Sequence, residues 1–230
     1  MNDRLTAALD YAARGWYVVP LNPQSKVLSW EMSLTLAFDW YGDDPAPDAA
    51  TIQRWFELEP ELNVGIRMDG SGLAVLDIDE LGHLHKVPGF EPDGLPLTPS
   101  VRTARGKHVY FRAPEEGIVS GQVRVFQPPE PSLLVGDFLT TYSPAWKGGG
   151  PAYVPAYVVA PPSRHPDGLT TYQWLDRPDV PLAEVPDWLL LAVVPPMPPS
   201  SWFADLADWP EEDEAYHDAM AADFEWDENN

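Results

Sequence analysis

The segment Gly72-Leu73-Ala74-Val75-Leu76-Asp77-Ile78-Asp79 constrains this chain more than any other. Its period-two pattern predicts a strand with Leu73, Val75, Asp77 and Asp79 on one face and Ala74, Leu76 and Ile78 on the other. A strand this apolar lies in a core, so its two terminal carboxylates stand at the rim of that core. Two aspartates at i and i+2 hold like charges a few ångströms apart, which is unfavourable unless a cation compensates. A divalent metal does so, and can then bridge substrate phosphates. The plainer reading is a strand that ends in two solvated acids.

Around this strand the sequence predicts a short helix over Leu5–Arg14 with Gly15 as its C-terminal cap, and a buried strand over Trp16–Pro20. A loop is expected over Asn22–Lys26 and a helix over Ala49–Leu58, capped by Thr51, with Ile52, Trp55 and Phe56 facing inward. Strands follow at Asn63–Arg67, His108–Phe111 and Ala156–Ala160, and a last short helix at Val185–Val194. The basic run Arg102-Thr103-Ala104-Arg105-Gly106-Lys107-His108 directly precedes a strand. Its cations suit a polyphosphate, and Gly106 permits close backbone approach; a solvated basic hairpin is the alternative. His83 and His85 read as residues of a surface loop.

Charge divides the chain. All fourteen Lys and Arg lie at or before Arg177, whereas Asp179 to Asn230 holds fourteen acids and no base. Residues 195–200 form a Pro-rich linker, and 201–230 an acidic tail interleaved with aromatic residues, a pattern suited to docking on a partner or on its own domain. There is no cysteine, so disulfides and thiolate metal sites are excluded. His83 and His85 have no partner cluster for zinc. No apolar run approaches the roughly 20 residues of a membrane helix, and Met1–Asp10 carries acids without a signal-peptide core. A cytoplasmic protein without membrane contact is expected.

These segments together resemble the bifunctional primase-polymerase domain of the archaeo-eukaryotic primase superfamily. The resemblance runs through Ala8–Pro20, Lys26, Ala50–Phe56, Asn63–Arg67, Ser71–Asp79, Leu95–Pro99, Gly106–Phe111, Tyr157–Gly168 with Tyr172-Gln173-Trp174, and Val185–Leu190, and so spans roughly 5–194. It implies an α+β fold: an RRM-like catalytic core, with a mixed or antiparallel sheet flanked by helices, over 1–194. It also implies template-directed nucleotidyl transfer from nucleoside triphosphates on single-stranded DNA with Mg2+ or Mn2+. Asp77 and Asp79 would bind metal, and His108 would contact nucleotide phosphates, assisted by Lys26, Arg102 and Lys107.

The family pattern also calls for a third metal carboxylate on a strand shortly before the Tyr157–Ser163 stretch. The position seven residues before Tyr157 is Gly150, and 147–155 contains no acid. Asp137, in Leu133-Leu134-Val135-Gly136-Asp137-Phe138, is the internal candidate, and it requires an insertion within 140–155. The family's two-glycine loop is shortened here to Ala104-Arg105-Gly106-Lys107-His108. No Gly-x-x-x-x-Gly-Lys-Ser/Thr loop is present, so a helicase or replication protein would act in trans. The competing reading is a catalytically degenerate member of the fold, a regulatory or binding module whose acidic tail mimics nucleic acid or docks a partner. An unrelated Asp-x-Asp metal enzyme, such as a glycosyltransferase, explains the strand alone.

Overall fold

A computed structural model of the chain describes residues 2–194 apart from 37, 41–43, 91–93, 115–119, 128–129, 141, 147–150 and 177. The expected linker and acidic tail, 195–230, lie outside the described residues.

Helix α1, Asp3–Ala13, starts where the Asn2 side chain accepts hydrogen bonds from the Arg4 and Leu5 amides at 3.0 and 3.4 Å. It stops at Gly15, whose φ of +82° only glycine adopts without strain. Strand β1, Tyr17–Leu21, follows. Helix α2, Trp30–Leu36, is short and buries only Met32 among its described side chains, so periodicity gave no sign of it. Helix α3, Ala49–Leu58, turns Ile52, Trp55 and Phe56 inward as expected. Its cap is Asp48 rather than Thr51: the Asp48 carboxylate accepts from the Thr51 amide at 2.8 Å.

Strand β2, Asn63–Arg67, lies between β1 and β10, Tyr157–Ala160, in a three-stranded antiparallel sheet. The larger sheet is built on β3, Leu73–Ile78. It also takes β4 (Ser100–Arg102), β5 (Lys107–Arg112), β6 (Gly121–Gln127), β7 (Glu130–Leu139), β11 (Gln173–Asp176) and β12 (Val193–Val194). Its order is β11-β4-β5-β3-β7-β6-β12, with antiparallel neighbours throughout. Between β7 and β10 stands a separate hairpin, β8 (Tyr142–Trp146) and β9 (Pro151–Pro155). The expected last helix is shorter than the sequence suggested. Helix α4 covers Asp187–Ala192, and Val193–Val194 pair as strand with β6.

The large sheet separates two cores, and the alternation in β3 decides which residue joins which. Leu73 and Val75 pack with Val101, Tyr110 and Trp174 beneath α1, α3 and the small sheet. Ala74, Leu76 and Ile78 pack with Val109, Phe111, Phe138 and Leu189 of α4 on the opposite face. With both faces covered, β3 is apolar on both, until Asp77. A 3-10 turn over Leu81–Lys86 follows, and the His83 ring there contacts the Leu134 carbonyl oxygen at 3.1 Å. The chain is α+β with antiparallel sheets, and no helix among the described residues is long and apolar enough to cross a membrane.

Candidate active site

Strand register assembles the site. Asp77 pairs with His108 on β5 and with Asp137 on β7. Directly opposed residues of an antiparallel ladder project to the same face. The row continues outward to Val101 beside His108 and to Gln122 beside Asp137. His108, Asp77 and Asp137 therefore stand side by side on the β1-β2-β10 side of the large sheet, where its apolar packing ends.

The three differ in environment. The His108 side chain is only 5% exposed, packs against Tyr172 with ring centroids 5.7 Å apart and the rings tilted by 38°, and places Nε2 3.4 Å from Asp77 Oδ1. Its Nδ1 is buried and has no hydrogen-bond partner among the described residues. Burial alone would push the Asp77 carboxyl up, but hydrogen bonding and charge from His108, with Lys26 and Arg105, outweigh it and hold the group below its ordinary range. Asp137 behaves oppositely. The residue is exposed at the surface, yet desolvation by neighbouring protein together with repulsion from Asp77 and Asp79 pushes its carboxyl up to about 6. Arg124, bonded to the Gln122 side chain at 2.8 Å, offsets part of this.

Asp79 lies one residue beyond β3, exposed, with Arg105 at 3.6 Å. Lys26 is exposed in the loop after β1, and its backbone carbonyl accepts from the Tyr157 hydroxyl at 3.1 Å. Lys107 and Arg102 are in register with each other and with Ile78, so the pleat turns them to the face opposite Asp77. The Arg102 guanidinium donates to the Gln173 side chain. Geometry thus brings Asp77, His108 and Asp137 together, holds Asp79 and Lys26 within electrostatic reach, and directs Arg102 and Lys107 elsewhere.

Three further residues enter. Arg105 belonged to the basic run; its pairing with Asp79 needs the turn that returns the chain from β4 to β5. Tyr172 packs between His108 and His165, and burial with the Asp77, Asp167 and Asp79 charges raises its hydroxyl well above normal. Arg124 sits on β6, where the sequence carried no signal at all.

Among the described residues no three His, Cys, Asp or Glu side chains converge into a ready metal cage. The chemistry of the donors still fits a hard divalent cation. Asp77 and Asp137 are oxygen donors in direct register, and beyond desolvation, repulsion from Asp77 and Asp79 contributes to the raise at Asp137, a repulsion that a cation would relieve. Mg2+ usually keeps several waters and takes one or two carboxylates plus substrate phosphates, so a closed cage is not required.

The family model described as bifunctional DNA primase/polymerase, N-terminal, matches residues 8–188. Comparison with curated proteins finds no match.

Proposed function

The chain belongs to the bifunctional DNA primase/polymerase N-terminal family, and from that premise we propose that it is a template-directed nucleotidyltransferase extending or initiating strands on single-stranded DNA. The observation that carries this reading is the row His108–Asp77–Asp137 across three adjacent strands.

In the reaction, a 3′-oxygen forms a bond to the α-phosphorus of an incoming nucleoside triphosphate while the bond to the bridging oxygen breaks and pyrophosphate leaves. Asp77 and Asp137, with Asp79 beside them, would hold Mg2+ or Mn2+. The metal, when bound, would neutralise charge on the phosphoryl oxygens and act as a Lewis acid. His108 is fixed by its contacts with Asp77 and Tyr172, and a rigid donor of this kind orients a triphosphate at little entropic cost. Lys26 and Arg105 bring positive charge to a site otherwise dominated by acids. Arg102 and Lys107, at the end of the same strands, would serve flanking phosphates of the template or primer. A helicase or replication protein in trans would supply the open strand.

The test is primer extension and de novo synthesis on a single-stranded template with Mn2+ and with Mg2+. Metal-dependent product supports the reading. No product from folded protein in either metal overturns it in favour of a non-catalytic member of the family that binds or regulates.

A further inference from the structure

Two loops meet beside the site, and one buried side chain joins them. Asn63, wholly buried on β2, donates from Nδ2 to the Ser25 carbonyl oxygen at 2.9 Å and to the Arg164 carbonyl oxygen at 2.7 Å. Its Oδ1 accepts from the Arg164 amide at 2.9 Å. The Gln24 side chain adds a bond to the Pro166 carbonyl oxygen at 3.4 Å. Lys26 and His165 each follow directly on a residue held by Asn63, so adjoining stretches of backbone carry them although they are far apart in sequence. Independent contacts tie both to the catalytic row. Lys26 acts electrostatically on Asp77. His165 packs against Tyr172 with ring centroids 5.9 Å apart, and Tyr172 packs against His108 at 5.7 Å, so two imidazoles share one phenol ring. Burial and the Asp77, Asp167 and Asp79 charges keep the Tyr172 hydroxyl protonated, so it brings no negative charge between them.

The His165 ring is oriented by its own loop. Its Nδ1 accepts from the Asp167 amide at 3.2 Å and lies 3.2 Å from Asp167 Oδ2. The Asp167 carboxylate accepts in turn from the Thr170 amide, the Thr170 hydroxyl and the Leu169 amide, each at 2.8 Å, and these bonds pull it down to about 2. It is therefore a permanent anion on the Nδ1 side of the ring. With Nδ1 accepting, the neutral imidazole carries its proton on Nε2, and the protonated ring carries one there as well. Nε2 is thus a hydrogen-bond donor in either state. It has no partner among the described residues, and the side chain is partly open to solvent.

We propose that His165 donates from Nε2 to the triphosphate of the incoming nucleotide, beside Lys26 and across Tyr172 from His108. A metal at the carboxylates takes part of that triphosphate. Its remaining oxygens need donors, and the two loops supply an imidazole N–H and an ammonium, both of which bond strongly to anionic oxygen. The arrangement of the donors stands on the loop geometry; that their ligand is a nucleoside triphosphate rests on the proposed function.

The chain has five histidines, so magnetic resonance of the full-length protein with isotope-labelled histidine nitrogens resolves few signals, and His165→Asn identifies the one that matters. Adding dATP with Ca2+, without template, should move the His165 Nε2 signal, and deoxyadenosine at the same concentration should leave it in place. A His108 signal that moves with dATP while that of His165 stays overturns the inference and leaves the proposed function standing. If dATP moves neither, both fail. If it moves both and no primer is extended with Mg2+ or Mn2+, the subsite holds and the polymerase reading fails. An equal movement with deoxyadenosine overturns the phosphate contact.

A pair of variants separates this contact from loop architecture. An asparagine amide falls near Nδ1 of a histidine, and a glutamine amide near Nε2. His165→Asn should keep the Asp167 contact yet weaken dATP binding about tenfold, whereas His165→Gln should bind within about threefold of wild type, with melting temperatures alike. Equal weakening in both variants, or none in His165→Asn, would mean that the ring serves only its own loop, and overturns the inference.

Discussion

Asp137 lies directly across the β3–β7 ladder from Asp77, although the intervening chain builds three other strands of the large sheet before returning. One carboxylate is held below its ordinary range by His108, and the other is pushed up to about 6. Neighbouring cations stabilise the Asp77 charge, whereas at Asp137 desolvation and repulsion outweigh the help from Arg124.

That divergence predicts a pH signature. A carboxyl raised in the folded state keeps its proton where the unfolded chain has released it. From about pH 4 to about 6 the folded protein therefore binds more protons than the unfolded one, and metal-free stability falls as pH rises through this window. Asp77 has the opposite sign: its contribution is present above the unfolded value near 3.8 and is lost only below that. Chelator-treated protein should thus melt higher at pH 5 than at pH 7, and Asp137→Asn should flatten that slope. Added Mn2+ should raise the melting temperature at pH 7.5 and lose its effect below about pH 6. An identical pH profile in Asp137→Asn would contradict the assignment.

Gly106 predicts a local steric failure. A β-carbon there would lie 1.6 Å from the Ile78 carbonyl oxygen, so alanine must push the β4–β5 turn away from the end of β3. Gly106→Ala should cost about 1–3 kcal/mol in urea unfolding. It should also lower primer-extension activity well beyond that loss, because Arg105 and His108 move with the turn. Full activity in this variant would show that the turn tolerates displacement.

Tyr11 predicts the strength of a remote brace. Its hydroxyl donates to the Pro161 carbonyl oxygen at 2.6 Å and accepts from Trp174 Nε1 at 2.8 Å, joining α1 to β11 and to the turn after β10. Tyr11→Phe leaves both partners unsatisfied and should cost about 1–3 kcal/mol. Chemical denaturation measures this, and a loss below about 0.5 kcal/mol would mean that solvent replaces the lost bonds.

The elements that were legible in the sequence share one property: their pattern is set by burial. Helices α1 and α3 and strands β2, β3 and β5 pack apolar side chains at regular spacing, and each lies close to its expected bounds. Others lacked that signal. Helix α2 is too short to show a period, and β4 has three residues. Strands β6 and β7 carry register shifts between Val123 and Arg124 and between Val125 and Gln127, which break any alternation. Cap choice at α3 failed because Asp48 and Thr51 are both ordinary caps, and only backbone geometry separates them.

The site divides the same way. Asp77, Asp79 and His108 could be singled out as candidates from one strand, one basic run and the family resemblance, because each lies in a segment whose local pattern is distinctive. Asp137 could not be reached by spacing from Tyr157, since the β8–β9 hairpin occupies the interval. Its pairing with Asp77 is a property of the sheet. Arg124 and Tyr172 are likewise brought to the row by pairing and packing alone, as is the face on which Lys107 and Arg102 fall.

The most direct test of the central claim is primer extension with Mn2+ by Asp137→Asn beside wild type and Asp77→Asn, with melting temperatures measured on the same samples. Losing a carboxylate that acts on the reacting phosphates should lower the rate by at least about 100-fold. The account predicts such a loss in both variants while the fold persists. Wild-type extension by folded Asp137→Asn, with Asp77→Asn inactive, would contradict the paired-carboxylate site.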